Sequence, residues 1–256
     1  MATRANYRLA SVAVRPVGQG VSGTLHVTMA AFAKPNGPNA PYCVPNEIIC
    51  AGLAKLIFLP VPPSGTAAHP ATKEPMFVSL DFNLTGSALP PIDPIDAVAK
   101  LPKLCAGLVL FDAWVANCDR HRGNVSVDTS SSPPQMSVFD HSHALFGYTP
   151  GGGVARLTEL RDRLGLTGGS KTKGNRHCLL DALASDAHFL HWLTRIKEVP
   201  RFQIEEVCAT ATDGGATPDE LAAAVDFLVH RRDTLSGIVN AHQAEFKGVK
   251  QWSLPA

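Results

Sequence analysis

The chain has no paired-cysteine spacing, no long run of one charge and no long apolar segment, and each absence removes a class of function. Its six cysteines, Cys43, Cys50, Cys105, Cys118, Cys178 and Cys208, are scattered with no C-x-x-C pair. Neither a zinc knuckle nor a disulfide scaffold is therefore expected; buried free thiols in a reducing compartment are. Charged residues make up only 18% of the 256 positions and the net charge is +1. That removes the broad basic footprint of a nucleic-acid binder. No segment reaches the ~20 apolar residues of a membrane span. The stretch from Met1 to Tyr7 lacks the long apolar run of a secretion signal. A cytoplasmic protein with no membrane partner is expected. A phosphate-binding G-K-[ST] loop, a G-x-S-x-G elbow and a zinc H-E-x-x-H are all missing, and no internal repeat is visible. His188 and His191 form H-x-x-H, the wrong spacing for that zinc motif, and read as structural.

What is present is apolar mass and one dense polar motif. Apolar residues account for 45% of the chain, enough for one large domain or two lobes with a packed core. Residues 117–124 read N-C-D-R-H-R-G-N, and residues 137–141 read S-V-F-D-H. Asp119 and Asn124 are five positions apart, and Asp140 ends a short apolar run. Phosphoryl transfer needs such a set: a carboxylate to orient and deprotonate a hydroxyl, and an amide oxygen with a second carboxylate to hold magnesium. The D-x-x-x-x-N spacing is that of a kinase catalytic loop. Val125 to Val127 and Met136 to Phe139 alternate as strands around the turn residues Asp128 to Pro134. Such a hairpin brings Asn124 beside Asp140. These two would be the metal ligands, and Asp119 the base. Arg122 is a further candidate for stabilising developing charge. His121 reads as a brace for the loop, and His141 and His143 as unsuited to direct magnesium binding.

The first 82 residues read as a small, strand-rich unit. Leu9 to Val14 and Thr24 to Phe32 flank a glycine-rich turn holding Gly18 and Gly20. Glycine lets backbone N–H groups approach phosphate oxygens, so both are candidate nucleotide contacts. A kinase also needs a strand lysine paired with a helix carboxylate. Lys34, in A-F-A-K-P, and Glu47, in a helix expected to be capped by Asn46, are the candidates. Lys55 and Lys73 are rivals for the lysine.

The pattern D-R-H-x-G-N followed by F-D-H resembles the HipA-like kinases, and more distantly the phosphoinositide kinases. Two further segments are similar to that family: N-E-x-x-x-x-x-L-A from Asn46, and Phe227 to Leu235 in a late helix. The motif departs from ordinary protein kinases, where Arg and His precede the Asp and Phe-Gly follows the second Asp. The resemblance implies an α+β, two-lobed, protein-kinase-like fold. A small β-rich N-lobe would span residues 1–82, and a larger, mainly helical C-lobe residues 83–256. It places the adenine hinge at Met76 to Asp81, making Phe77, Val78 and Leu80 candidate nucleotide contacts. ATP and magnesium are the implied cofactors. The acceptor would be a protein Ser/Thr hydroxyl or a small molecule, with a toxin–antitoxin or phage–host partner in view. A non-catalytic nucleotide-binding module and a nucleotidyl transferase on the same fold are the competing expectations.

From residue 96 the pattern is mainly helical. Helices are expected over Asp96 to Leu101, Cys105 to Val115, Arg156 to Leu164, Cys178 to Ile196, Ile204 to Ala211 and Pro218 to Phe246. A flexible connector at Tyr148 to Gly153 lies where kinases keep an activation segment.

Overall fold

A computed structural model describes residues 9–16, 25–83, 90–129, 132–167 and 176–254. The glycine turn carrying Gly18 and Gly20 lies outside them. Among the described residues the chain is a mixed α/β structure with three small antiparallel sheets and seven α-helices. Strands β1 (Leu9–Pro16) and β2 (Leu25–Met29) pair as a hairpin. Strands β3 (Ala31–Pro35), β4 (Ser64–Ala68) and β5 (Pro75–Leu80) form a sheet in the order β3-β5-β4. The continuous strand expected from Thr24 to Phe32 is therefore broken at Ala30. There the carbonyl accepts from Asp81 N at 2.8 Å, and the chain leaves the partner β1 for the partner β5.

Helix α1 (Cys43–Leu56) follows β3 and packs on β5 and on a later helix, α6 (Arg201–Ala209). It begins three residues before Asn46, contrary to the expectation of a cap there. Asn36 accepts from Val44 N at 2.9 Å instead. Asn46 is buried and spends its amide on Ser142 O (2.8 Å) and Phe146 N (3.3 Å). A helix-start signal thus serves as a tie to a loop about a hundred residues away.

Helix α2 (Pro94–Lys100) is capped by Asp93 and leads into α3 (Pro102–Trp114). From Cys105 to Ala116 every residue of α3 and its exit is buried. A helix apolar on all sides must be surrounded, and α3 is, by α5 (Phe189–Lys197) and α7 (Pro218–Ala241). Gly107 permits the first contact: a Cβ there would lie 2.2 Å from Trp192 of α5. The hairpin β6 (Val125–Asp128) and β7 (Gln135–Val138) follows in the expected register, Val125 opposite Val138.

Helix α4 spans Gly153–Leu160, starting and stopping earlier than its apolar pattern suggested. Residues 178–188 are not helical, so the helix expected from Cys178 begins only at Phe189. Asp186 is held out of any helix by Ser253 and Leu254, whose backbone N–H groups donate to it at 2.6 and 2.7 Å. Helix α7 stops at Ala241, with His242 at its C-terminus bonded to Ile238 O. The six cysteines are all free, and five are buried. No described helix is long and apolar enough to cross a membrane.

Arg231 of α7 is fully buried, with no acid bonded to it among the described residues. Its guanidinium donates to the carbonyls of Leu160 and Arg163 at 2.6 Å, Leu164 at 3.1 Å, Arg161 at 3.3 Å, and Ala113. It closes the C-terminal ends of α3 and α4, whose last carbonyls have no partner within their helices. Arg231→Met is expected to destabilise the protein by about 1–3 kcal/mol, because the buried Ala113 and Leu164 carbonyls lose the guanidinium donor together. Urea denaturation measures this. A loss under ~1 kcal/mol would mean that the carbonyls are satisfied otherwise.

Candidate active site

The sheet β3-β5-β4, helix α1 and the β6–β7 hairpin enclose a cleft of about 630 Å³. Its walls are of two kinds. Phe32, Val61, Phe77, Phe82 and Phe139 make one part apolar and aromatic, and Lys34, Glu47 and Asp140 make another charged. A planar base suits the first and phosphates the second.

Lys34 sits on β3 and reaches two carboxylates at once: Glu47 Oε1 at 2.6 Å and Asp140 Oδ1 at 3.0 Å. Glu47 lies one turn into α1, almost fully buried, with His141 Nδ1 3.3 Å from its other oxygen. Burial works against the Lys34 ammonium, but the charges of Glu47 and Asp140 outweigh it and raise its pKa above the ordinary value. Burial pushes the Glu47 carboxyl up, yet the His141 hydrogen bond and the Lys34 charge bring it below the ordinary range. Asp140 is also raised by burial and lowered more strongly by Lys34 and Ser142, ending at about 2. All three groups are thus charged at neutral pH. The rivals lie elsewhere: Lys55 bonds Ser64 Oγ and Lys73 bonds Pro70 O, both exposed.

The β6–β7 pairing places residue 124 across from residue 139, and Phe139 N donates to Asn124 O at 3.4 Å. Asp140 follows in the left-handed conformation with φ 63°, a region that Asp visits more readily than most residues and that costs free energy. The bend points its carboxylate at Lys34 and at Ser142 Oγ, 2.8 Å away. Asn124 is buried and donates through Nδ2 to Asp119 O at 3.2 Å. Asn124 itself does not line the cleft. Asp119 is half-buried, its N–H donating to Asn117 Oδ1 at 3.2 Å. Gly123 of the same loop lines the cleft; the Asp119 side chain does not.

Of the expected hinge residues, Phe77 lines the cleft, together with Ser79 and Asp81. Val78 and Leu80 alternate to the other face of β5, as period two requires. β5 is the middle strand, paired with β4 through Ser79 and with β3 through Leu80, and Asp81 N still donates to Ala30 O. Beyond Asp81, Phe82 and Asn83 line the cleft. Phe82 packs on Phe139 with ring centroids 5.4 Å apart.

The Asn124 amide oxygen and the Asp140 carboxylate are hard oxygen donors, the type that magnesium takes from a protein. A cage of three or more His, Cys, Asp or Glu side chains is absent among the described residues, and such an ion does not need one. The Cys43 thiol beside the charged cluster is pushed up to about 12 by burial, which removes it as a nucleophile.

Sequence reasoning missed the groups beneath the motif. Asp112 of α3 takes both Nε (2.7 Å) and Nη2 (3.1 Å) of Arg120. It also accepts from Asn117 Nδ2 and His177 Nε2, each at 3.0 Å. All four residues are fully buried. The signal was available: Asp112 is a lone charge within Leu108 to Val115, and a buried charge must be paired.

No protein-family model matches the chain, and no curated protein matches it. Solved structures do. The chain is similar to the proinflammatory kinase CtkA of Helicobacter pylori, at 11% identity and a TM-score of 0.50, covering 94% of this chain and 96% of that one. It also matches HipA of a Shewanella oneidensis toxin–antitoxin system, determined with HipB and operator DNA. There the identity is 17% and the TM-score 0.48, over 88% of this chain and 62% of that one. The fold shared with CtkA is of the kinase type, as the sequence resemblance implied.

Proposed function

We propose that the chain is an ATP- and magnesium-dependent kinase of the HipA-like kind. It transfers the γ-phosphate to a hydroxyl, with a protein serine or threonine as acceptor. In this reading residues 1–82 form the N-lobe and residues 83–256 the C-lobe, with the cleft between them. The observation that carries the reading is the position of Lys34, bonded to Glu47 and Asp140 at the charged end of an aromatic-walled cleft. The kinase-type fold shared with CtkA supports it.

Each residue then has a task. The aromatic rings hold the base, and Lys34, steadied by Glu47, contacts the phosphates. Asn124 and Asp140 would hold magnesium, whose chemistry is to neutralise charge on the phosphate oxygens. Asp119 orients the acceptor hydroxyl and finally accepts its proton. Lys34 bonds Asp140 as well as Glu47, so it would lie beside the carboxylate that would hold the metal and within reach of the phosphates.

Lys34→Ala and Glu47→Ala are expected to produce similar losses in productive ATP binding and to be strongly non-additive. A double-mutant cycle should show a coupling of about 1–3 kcal/mol, as for contacting residues. Wild-type behaviour of Lys34→Ala, with a defect in Lys55→Ala or Lys73→Ala, would overturn the assignment.

A further inference from the structure

We propose that Asp112, oriented by His177, is the positioning residue of this site, acting through Arg120 on the two backbone segments that carry Asn124 and Asp140. The geometry is specific. Arg120 gives one face of its guanidinium to Asp112. The remaining nitrogen, Nη1, donates to Asn124 O at 2.8 Å, to Phe139 O, and more distantly to Asp140 O at 3.4 Å. One nitrogen therefore gathers the carbonyls on both sides of the hairpin mouth. Its place is set by Asp112, which stands in the fully buried stretch of α3 from Cys105 to Trp114.

Asp112 also fixes Asp119, by a second route. It accepts from Asn117 Nδ2, and Asn117 Oδ1 accepts from Asp119 N. The three residues assigned to chemistry thus hang from a single carboxylate that is fully buried and does not line the cleft. His177 completes the unit. Leu179 N donates to His177 Nδ1 at 3.2 Å, so Nε2 carries the hydrogen and donates to Asp112. Burial lowers the His177 pKa and keeps the ring neutral. The next residue, Cys178, donates its N–H to Arg120 O at 2.9 Å. The segment after residue 175 therefore holds the catalytic loop from behind.

A buried ion pair contributes little net stability compared with apolar packing. Its return here is orientation: the Asp112 carboxylate accepts four hydrogen bonds and fixes the direction of each. Nothing in the assigned chemistry uses Asp112 or His177 directly.

The kinetic arm of the test rests on the kinase reading, and the exchange arm does not. Asp112→Asn would leave the Arg120 charge unpaired and risks unfolding, so His177 is the residue to vary. His177→Phe keeps the ring and removes the donor. His177→Gln places an amide N–H where Nε2 was. In the full chain without nucleotide, His177→Phe should speed hydrogen exchange at the amides of Asn124, Phe139 and Cys178, with α7 unchanged. In ATP turnover it should lower kcat about 10–100-fold with little change in KM for ATP, the size seen when a supporting hydrogen bond is lost. His177→Gln should restore most of both. Equal behaviour of the Phe and Gln variants, or faster exchange spread evenly through the protein, would overturn the proposal. If the wild-type chain shows no turnover, the kinase reading falls, and the exchange pattern alone decides the positioning role.

Discussion

Asp140→Asn is expected to abolish phosphoryl transfer while the protein stays folded. In the proposed reading Asp140 would supply the one anionic oxygen of the two-ligand magnesium set, and an amide in its place keeps the shape but not the charge. Phosphoryl transfer depends on the metal to neutralise the phosphates. The substitution also takes a carboxylate away from Lys34, which keeps Glu47 at 2.6 Å. The lysine remains anchored, so the loss reports the metal and not a collapsed cleft. The pH dependence follows from the pKa of about 2. A depressed carboxylate pKa contributes stability above the ordinary carboxylate range and loses it as pH falls toward 2. Asp140 is therefore ionised throughout the neutral range. Acid loss of activity above that point must come from other groups. ATP turnover by the variant, checked for folding by circular dichroism, measures the effect. Near-wild-type turnover would remove Asp140 from the site.

Asp119→Asn is the second large effect, and it separates a catalyst from a binder. Asp119 is assigned to the acceptor hydroxyl, whereas Asn124 and Asp140 are assigned to the metal. The amide keeps the size and some of the hydrogen bonding. It removes the charge that orients and finally accepts the proton. Phosphorylation should fall by at least ~10²-fold, the usual contribution of a general base, while affinity for ATP with magnesium changes little. Its backbone bonds to Asn117, His121 and Asn124 do not depend on the side chain, so the loop should keep its form. Equal losses of affinity and turnover would put Asp119 in the metal shell. Full turnover would remove it from the chemistry.

The parts of this structure readable from sequence are those specified locally. The β6–β7 hairpin is carried by period-two alternation around a polar turn, and α3 by an apolar run interrupted by Asp112. The pairing of Lys34 with Glu47 followed from the need for one lysine on a strand and one acid on a helix. The parts that were not readable are specified by distant partners. Asn46 looks like a cap and is a tie to Ser142 and Phe146. Residues 178–188 carry apolar residues at helical spacing, but His177 is drawn to Asp112 and Asp186 to the chain's last residues. Val78 and Leu80 were candidate nucleotide contacts because the resemblance puts the hinge on this strand. Only its middle position in the sheet reveals which face meets the cleft and where the backbone pairing ends. Asp112 was visible as an anomaly, but its partners were not: a buried carboxylate announces that it is paired and not with what.

The central claim is that this cleft moves a γ-phosphoryl group onto a hydroxyl. The most direct measurement incubates the wild-type chain with magnesium, a mixture of cell proteins and small-molecule acceptors, and ATP labelled at either the α- or the γ-phosphate. Mass spectrometry then identifies the product. The account predicts γ-label on a serine or threonine hydroxyl, with the mass of one phosphoryl group, and no transfer in Asp119→Asn. Transfer of α-label with the whole nucleotide, or tight ATP binding with no product of either kind, would contradict it.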